Sequence, residues 1–240
     1  MVCISWIKEK EGKKMIDIKI LFLLFLTYSF LGWVMEMIVT LIDDKELVNR
    51  GFLIGPYCPI YGTCSVAMIL LLRNVTNPLL LFILSIIICS VGEYLTSYLM
   101  ERIFKARWWD YSNKKFNLNG RICLQNCLAF GILGFLMIKY VNTFILNIYS
   151  KLNPNTLNIL FYILFVIFIT DLIVSFNVIY KIKNMSIKFV HLDNTKEITE
   201  KVRSILSKNI LPRRLFNAFP NAKILIKNKI NDIKIKHSKK

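Results

Sequence analysis

Three stretches of this chain are long enough to cross about 30 Å of hydrocarbon at about 1.5 Å per residue. Each holds a single charged side chain. Residues 20–42 contain Glu36, residues 79–100 contain Glu93, and residues 157–180 contain Asp171. A soluble fold has no use for such runs, and the 55% hydrophobic content agrees. Segments 52–72 and 122–146 qualify with interruptions: Gly and Pro in the first, and Gln125, Asn126, Lys139 and Asn142 in the second. The chain reads as an all-α, polytopic membrane helix bundle of about five transmembrane helices. They fall at about 20–42, 52–72, 79–104, 122–146 and 157–180. An N-terminal extension, 1–19, precedes them, and a basic cytoplasmic tail, 181–240, follows. The location expected is the cell membrane, with several passes.

The formal charge of +17 is unevenly placed, since residues 181–240 hold 16 Lys and Arg against 4 Asp and Glu. Positive charge is retained in the cytoplasm, which puts the tail inside. The loop 105–120 belongs there too, with Lys105, Arg107, Lys114 and Lys115 in it. Five crossings then leave the N-terminus outside, against the lysines of residues 8–19. A rival with 52–72 re-entrant has four crossings and the N-terminus inside. Depth favours five. Glu36 and Glu93 then lie about 10 Å from their cytoplasmic ends. Arg121, Gln125 and Asn126 enter the same layer. A buried carboxylate is costly unless paired, so a layer of Glu36, Glu93 and Arg121 is the expected site for a substrate or proton path, with Gln125 beside it. Met15 is an alternative start, because residues 8–14 are polar.

Gly32 and Glu36 share a helix face. Ser90, Glu93, Ser97 and Glu101 form a polar stripe at helical spacing. Residues 49–62 are irregular in composition. Asn49, Arg50, Gly51, Gly55, Pro56, Pro59 and Tyr61 mark a broken helix whose freed backbone groups are expected to face a cavity. The aromatic loop of Trp108, Trp109, Asp110, Tyr111 and Asn117 suits the membrane boundary. Its Asp110 and Asn117 are candidates to cap the fourth helix or to bind a polar group. In the tail, Asn194 and Glu197 have capping-box spacing before an amphipathic basic helix at 195–210 that Pro212 ends. This helix is expected on the inner lipid surface. For 222–236, helix and strand both stay open.

The six cysteines include no CxxC pair, and five sit in apolar segments as small hydrophobic residues, so neither disulfide nor metal site is expected. No cofactor is expected, and no motif points to nucleic acid. No P-loop, dinucleotide, metalloprotease or nucleophile-elbow motif occurs. The chain hydrolyses no ATP through a P-loop of its own, and an enzyme is not the expected class.

Taken together, Gly32-Trp33 with Glu36, Asn49 to Gly62, Glu93-Tyr94, Trp108 to Ser112 and Phe116 to Ile122 resemble the CmpB-like, type IV ABC-transporter permease family over about residues 27–136. The resemblance implies a permease working with a separate ATPase, with no substrate to carry over. The ATPase would then meet loop 105–120. Five helices are few for a transporter, so a homo-oligomer in the lipid bilayer is expected. Two other classes remain: a membrane enzyme acting on a lipid or isoprenoid through its intramembrane carboxylates, and a non-catalytic scaffold. Topology is directly testable. With native cysteines removed, Asn113→Cys and Ser238→Cys should label from the cytoplasm, and Asn77→Cys only from outside. Labelling of position 77 from the cytoplasm alone would reject both topologies.

Overall fold

The structure is a computed structural model that describes residues 7–10, 13–43, 45, 49, 51–104, 106–188, 200, 210–219 and 223–224. Arg50, Lys105 and most of the predicted surface helix 195–210 lie outside the described residues.

The helices are α1 (Ile18–Asp43), α2 (Pro59–Leu72), α3 (Pro78–Phe104), α4 (Leu124–Leu136), α5 (Asn142–Ser150), α6 (Pro154–Lys188) and α7 (Ile210–Ala218). A π-helical turn, Met137–Val141, joins α4 and α5 into one apolar column. Side-chain caps mark the starts of α1, α3 and α6. Asn77 accepts from the N–H groups of Leu79 and Leu80 at 2.9 and 3.1 Å, with Pro78 in the first turn. Asn153 accepts from Asn155 N–H at 3.0 Å before Pro154 in the same way. Asp17 accepts from Lys19 N–H at 2.9 Å at the head of α1.

Four helical stretches are long and apolar enough to cross a membrane: Ile18–Ile42, Pro78–Phe104, Leu124–Ser150 and Pro154–Lys181. This is a membrane protein. The helix expected at 52–72 is shorter, because its first seven residues are not helical. Gly55 and Pro56 leave that stretch without a helical ladder. The 14 residues of α2 span about 21 Å.

Contacts along the helices show how they run. Gly32 lies against Tyr61, and Gly62 against Ser29 and the carbonyl of Phe25. Ile20 and Leu72 share one core cluster with Met68, Leu81 and Cys89. So α2 runs back along α1, and α3 returns along α2. Lys19 Nζ meets Asn158 Oδ1 at 2.7 Å, which sets the heads of α1 and α6 side by side. Thr27 and Tyr28 meet Tyr149 and Asn142. At the opposite end, Phe52 packs on Phe104, Trp108 and Phe176. The irregular stretch 51–58 and α2 together therefore traverse the same depth as α1.

Short antiparallel pairs decorate the bundle. β1 (Ile7–Lys10) pairs with β2 (Lys13–Ile16). β3 (Ala106–Arg107) pairs with β6 (Lys223–Ile224), and β4 (Asn117–Leu118) pairs with β5 (Ile122–Cys123). The β3–β6 pair places a strand in the tail stretch that composition left open.

The described tail packs on protein. In α7, Pro212, Leu215 and Ala218 are buried. Phe219 meets the Trp108 ring edge-on at 5.2 Å. Pro212 falls in the first turn of α7, where its missing N–H costs nothing, and it does not end a helix there. Burial of one leucine is worth about 1.5–3 kcal/mol, so Leu215→Asp should open this docking roughly tenfold or more. The check is tryptic cleavage after Arg213 and Arg214 in the purified chain. Equal cleavage rates in variant and parent would reject the packing of α7.

Candidate intramembrane polar site

The irregular stretch survives because side chains take over its backbone groups. Asp171, midway along α6, accepts from Ile54 N–H at 2.9 Å, Gly55 N–H at 2.6 Å, Tyr57 O–H at 2.5 Å and Ser175 O–H at 2.8 Å. Asn49 accepts from Trp33 Nε1–H at 2.8 Å and Gly51 N–H at 3.0 Å, and donates to the Ile54 carbonyl at 3.3 Å. Arg214 of α7 donates to the carbonyls of Gly51 and Phe52 at 2.9 and 3.1 Å. Burial holds the Arg214 guanidinium below the usual arginine range, and the Asp171 carboxylate opposes that shift. Gly55 has no room for a side chain, since a Cβ there would strike the Tyr57 ring. Pro56 is exposed, and Pro59 opens α2. The freed backbone groups predicted to face a cavity thus meet protein side chains at Gly51, Phe52, Ile54 and Gly55.

Just beyond this stretch lie the two carboxylates. Tyr61 donates its hydroxyl to Glu36 Oε1. A Cβ at Gly32 would strike the Tyr61 ring, which explains the Gly32–Glu36 spacing on one face of α1. Glu93 is 6% exposed. Its Oε1 accepts from Tyr111 O–H at 3.2 Å, while its buried Oε2 has no hydrogen-bond partner among the described residues. Asn126 lies beside the Glu93 carboxylate without closing a geometrically sound hydrogen bond. Burial first, and Glu93 second, hold the Tyr111 phenol well above its ordinary range, so it acts as a donor. Glu36 and Glu93 sense each other's charge, and the Cys58 thiol sits within the field of Glu36.

Arg121 answers a different carboxylate from those expected. Its Nη2 meets Glu101 Oε2 at 2.9 Å, and its Nη1 donates to Ser97 Oγ at 3.1 Å. The rings of Tyr94 and Tyr98 flank it at 5.7 and 5.6 Å. Arg107 also meets Glu101, at 3.0 Å. Glu101 lies two turns beyond Glu93, and this shift of register takes the cation away from the deeper pair. The stripe Ser90, Glu93, Ser97 and Glu101 nevertheless acts as one face. Ser90 donates to Cys127 at 3.1 Å, and the others meet Tyr111 and Arg121. Gln125 is exposed, so Asn126 is the α4 amide at the site.

The aromatic loop braces itself. Asp110 Oδ1 accepts from Ser112 N–H at 3.1 Å and from its hydroxyl at 2.5 Å. Asn117 donates to the Lys114 carbonyl at 2.8 Å and accepts from Gly120 N–H at 3.0 Å. The residue before α4 is Cys123, with no side-chain cap, so neither Asp110 nor Asn117 caps that helix. Gly120 has φ +66°, and a Cβ there would strike Asp110 and Ser112. Trp109 Nε1 donates to the Arg121 carbonyl at 3.1 Å, and Trp108 is buried against Phe52. Phe116, 81% exposed, stands at the tip beside exposed Lys114 and Lys115.

The sequence reading missed Arg214 and Glu101 as site residues. Asp171 carried a signal, as the lone charge in its span. Arg214 carried none.

The family model described as "Putative ABC-transporter type IV" matches residues 23–176. The chain belongs to that family. The match takes in Glu36, stretch 51–58, Glu93, the aromatic loop, Arg121 and Asp171, and it stops short of α7. No curated protein and no solved structure matches the chain. Membership in this family and the four apolar helices fit a transporter component.

Asp171→Asn should test the anchoring role. It removes the charge from four accepted hydrogen bonds and turns half of the acceptor into a donor facing backbone N–H groups. Hydrogen bonds to charged groups contribute about 1.5–3 kcal/mol each, so a clear drop in detergent melting temperature is expected. A melting temperature equal to the parent's would reject Asp171 as the anchor of the stretch.

Proposed function

We propose that this chain is the membrane subunit of an ABC-type transporter and that its substrate path passes Glu36 and Glu93. The observation behind this reading is that, among the described residues, no cation meets these carboxylates. Each accepts from a tyrosine, and Glu93 Oε2 stays unpartnered in a buried position. Two carboxylates in one desolvated layer are costly when both are charged. A passing proton or cation relieves that cost, which is what a transport site requires. The neighbouring stretch 51–58 supplies a non-helical crossing element, a feature of transporter binding sites.

In this reading the chain crosses the cell membrane five times, with the second crossing made by 51–58 and α2 together. The basic ends of α3 and α6 lie in the cytoplasm. The braced loop between α3 and α4 would meet a separate ATPase, with Phe116 beside Lys114 and Lys115 as the anchor. Exposed apolar side chains along α3 and α6 leave room for a second copy of the chain. A lipid-processing enzyme would need a head-group site, and the hydrogen bonds of Asp110 and Asn117 described above are spent on their own loop.

Glu93→Gln is expected to keep the parental folded yield, because no ion pair is lost. It should lower any transport-linked growth or ATPase stimulation roughly tenfold or more, the worth of one charged hydrogen bond of about 1.5–3 kcal/mol. Arg121→Gln should instead lower folded yield, with partial recovery in the Arg121→Gln, Glu101→Gln double variant. If Glu93→Gln and Glu36→Gln both fold and function like the parent, the path lies elsewhere.

A further inference from the structure

We infer that Cys64, Met68 and Cys89 form a binding site for a soft monovalent metal ion of the Cu(I) class. The inference names a substrate class for the path proposed above and rests on that reading for its role.

Cys64 and Met68 lie one turn apart on α2, and Cys89 faces them from α3. Cys89 Sγ and Met68 Sδ are 3.9 Å apart, and Cys64 Sγ packs on α3 at Gly92, one turn from Cys89. Three sulfurs around one ion at bond lengths of about 2.3 Å stand about 4.0 Å apart in a trigonal plane. The observed separation therefore needs little movement to close on an ion. Two glycines let the sulfurs pack close against the helix backbones. A Cβ on Gly92 would fall 2.5 Å from Cys64 Sγ, and one on Gly134 would fall 3.1 Å from Met68 Sδ.

The ligand set selects the ion. Thiolate and thioether donors favour Cu(I) over hard cations. Among the described residues no three His, Cys, Asp or Glu side chains converge, so the common hard-ion and zinc arrangements are absent there. Charge selects further. A monovalent ion with one thiolate, one thiol and one thioether is neutral, which suits a site in hydrocarbon. Binding then forms sulfur–metal bonds and releases one thiol proton to bulk solvent, with no electron transferred. Cys89 sits one turn from Glu93 on α3, so the sulfurs form the next station beyond the carboxylates.

The test uses the full chain in detergent, reduced and anaerobic, titrated with Ag(I), a redox-inert ion of the same coordination chemistry. About one equivalent should be retained against a competing chelator, with a sulfur-only shell in X-ray absorption. The Cys64→Ser, Cys89→Ser variant should lose it. Met68→Leu should weaken binding roughly tenfold or more, and Met68→Cys should retain it. A variant lacking Cys58, Cys123 and Cys127 should bind like the parent. In the unsubstituted chain, Ag(I) should slow modification of Cys64 and Cys89 by a small membrane-permeant thiol reagent, while Cys127 reacts unchanged. That readout does not depend on whether any variant folds. Ag(I) retained equally without Cys64 and Cys89, or no selective protection of these two thiols, overturns the inference. Metal bound at the sulfurs with no effect of Glu93→Gln on growth would sink the path and leave the site standing, and the converse pattern would do the reverse.

Discussion

Everything in this bundle answers to one constraint: in hydrocarbon, a backbone N–H or C=O that leaves a helix must find another partner inside the protein. The stretch 51–58 meets that constraint through Asp171. One carboxylate on α6 accepts two backbone N–H groups and a tyrosine hydroxyl from the stretch, with Ser175 completing its shell. The position of the stretch then fixes where α2 begins, and that start places Tyr61 against Glu36. The ring of Tyr61 in turn demands that residue 32 be glycine. A single half-buried charge thus sets the register of three helices.

The charges sort by depth. Near the end of α3, Glu101 collects Arg107 and Arg121 at the boundary, where partial exposure softens the cost of ionisation. Deeper in, Glu36 and Glu93 meet phenols and an amide. Phenols stabilise either protonation state of a carboxylate without fixing its charge, which a guanidinium would do. This division separates the Glu101 network, which ties the loop to α3, from a deeper pair whose hydrogen bonds come from neutral tyrosines. The π-helical turn in the α4–α5 column lies farther along, at Met137–Val141, and its wider backbone spacing is a common mark of functional segments.

Much of this was legible in the chain itself. Long apolar runs with one charge each fix the helices, because only an intramembrane environment tolerates them. The polar stripe on α3 was visible as a spacing of three and four, and its residues do face one way. The broken second helix was visible in Gly55 and Pro56. What spacing cannot convey is partner choice between distant segments. Glu101 and Glu93 differ by two helical turns, and only the height of Arg121 decides between them. Asp110 and Asn117 turned inward on their own loop because Asn119 and Gly120 adopt positive φ, a conformation that composition does not announce. Arg214 is one of many basic residues in the tail, and nothing local distinguishes it.

The anchoring of stretch 51–58 also has a temporal side. Its partners are synthesised long after it: Asp171 follows Ile54 by 117 residues, and Arg214 follows Gly51 by 163. While the ribosome makes α3 to α6, stretch 51–58 has Asn49 beside it but lacks Asp171 and Arg214. It cannot settle alone in lipid during that interval. The stretch therefore gains its last partners only when α6 and then the tail arrive. A chain that ends before Asp171 leaves the Ile54 and Gly55 N–H groups without that acceptor.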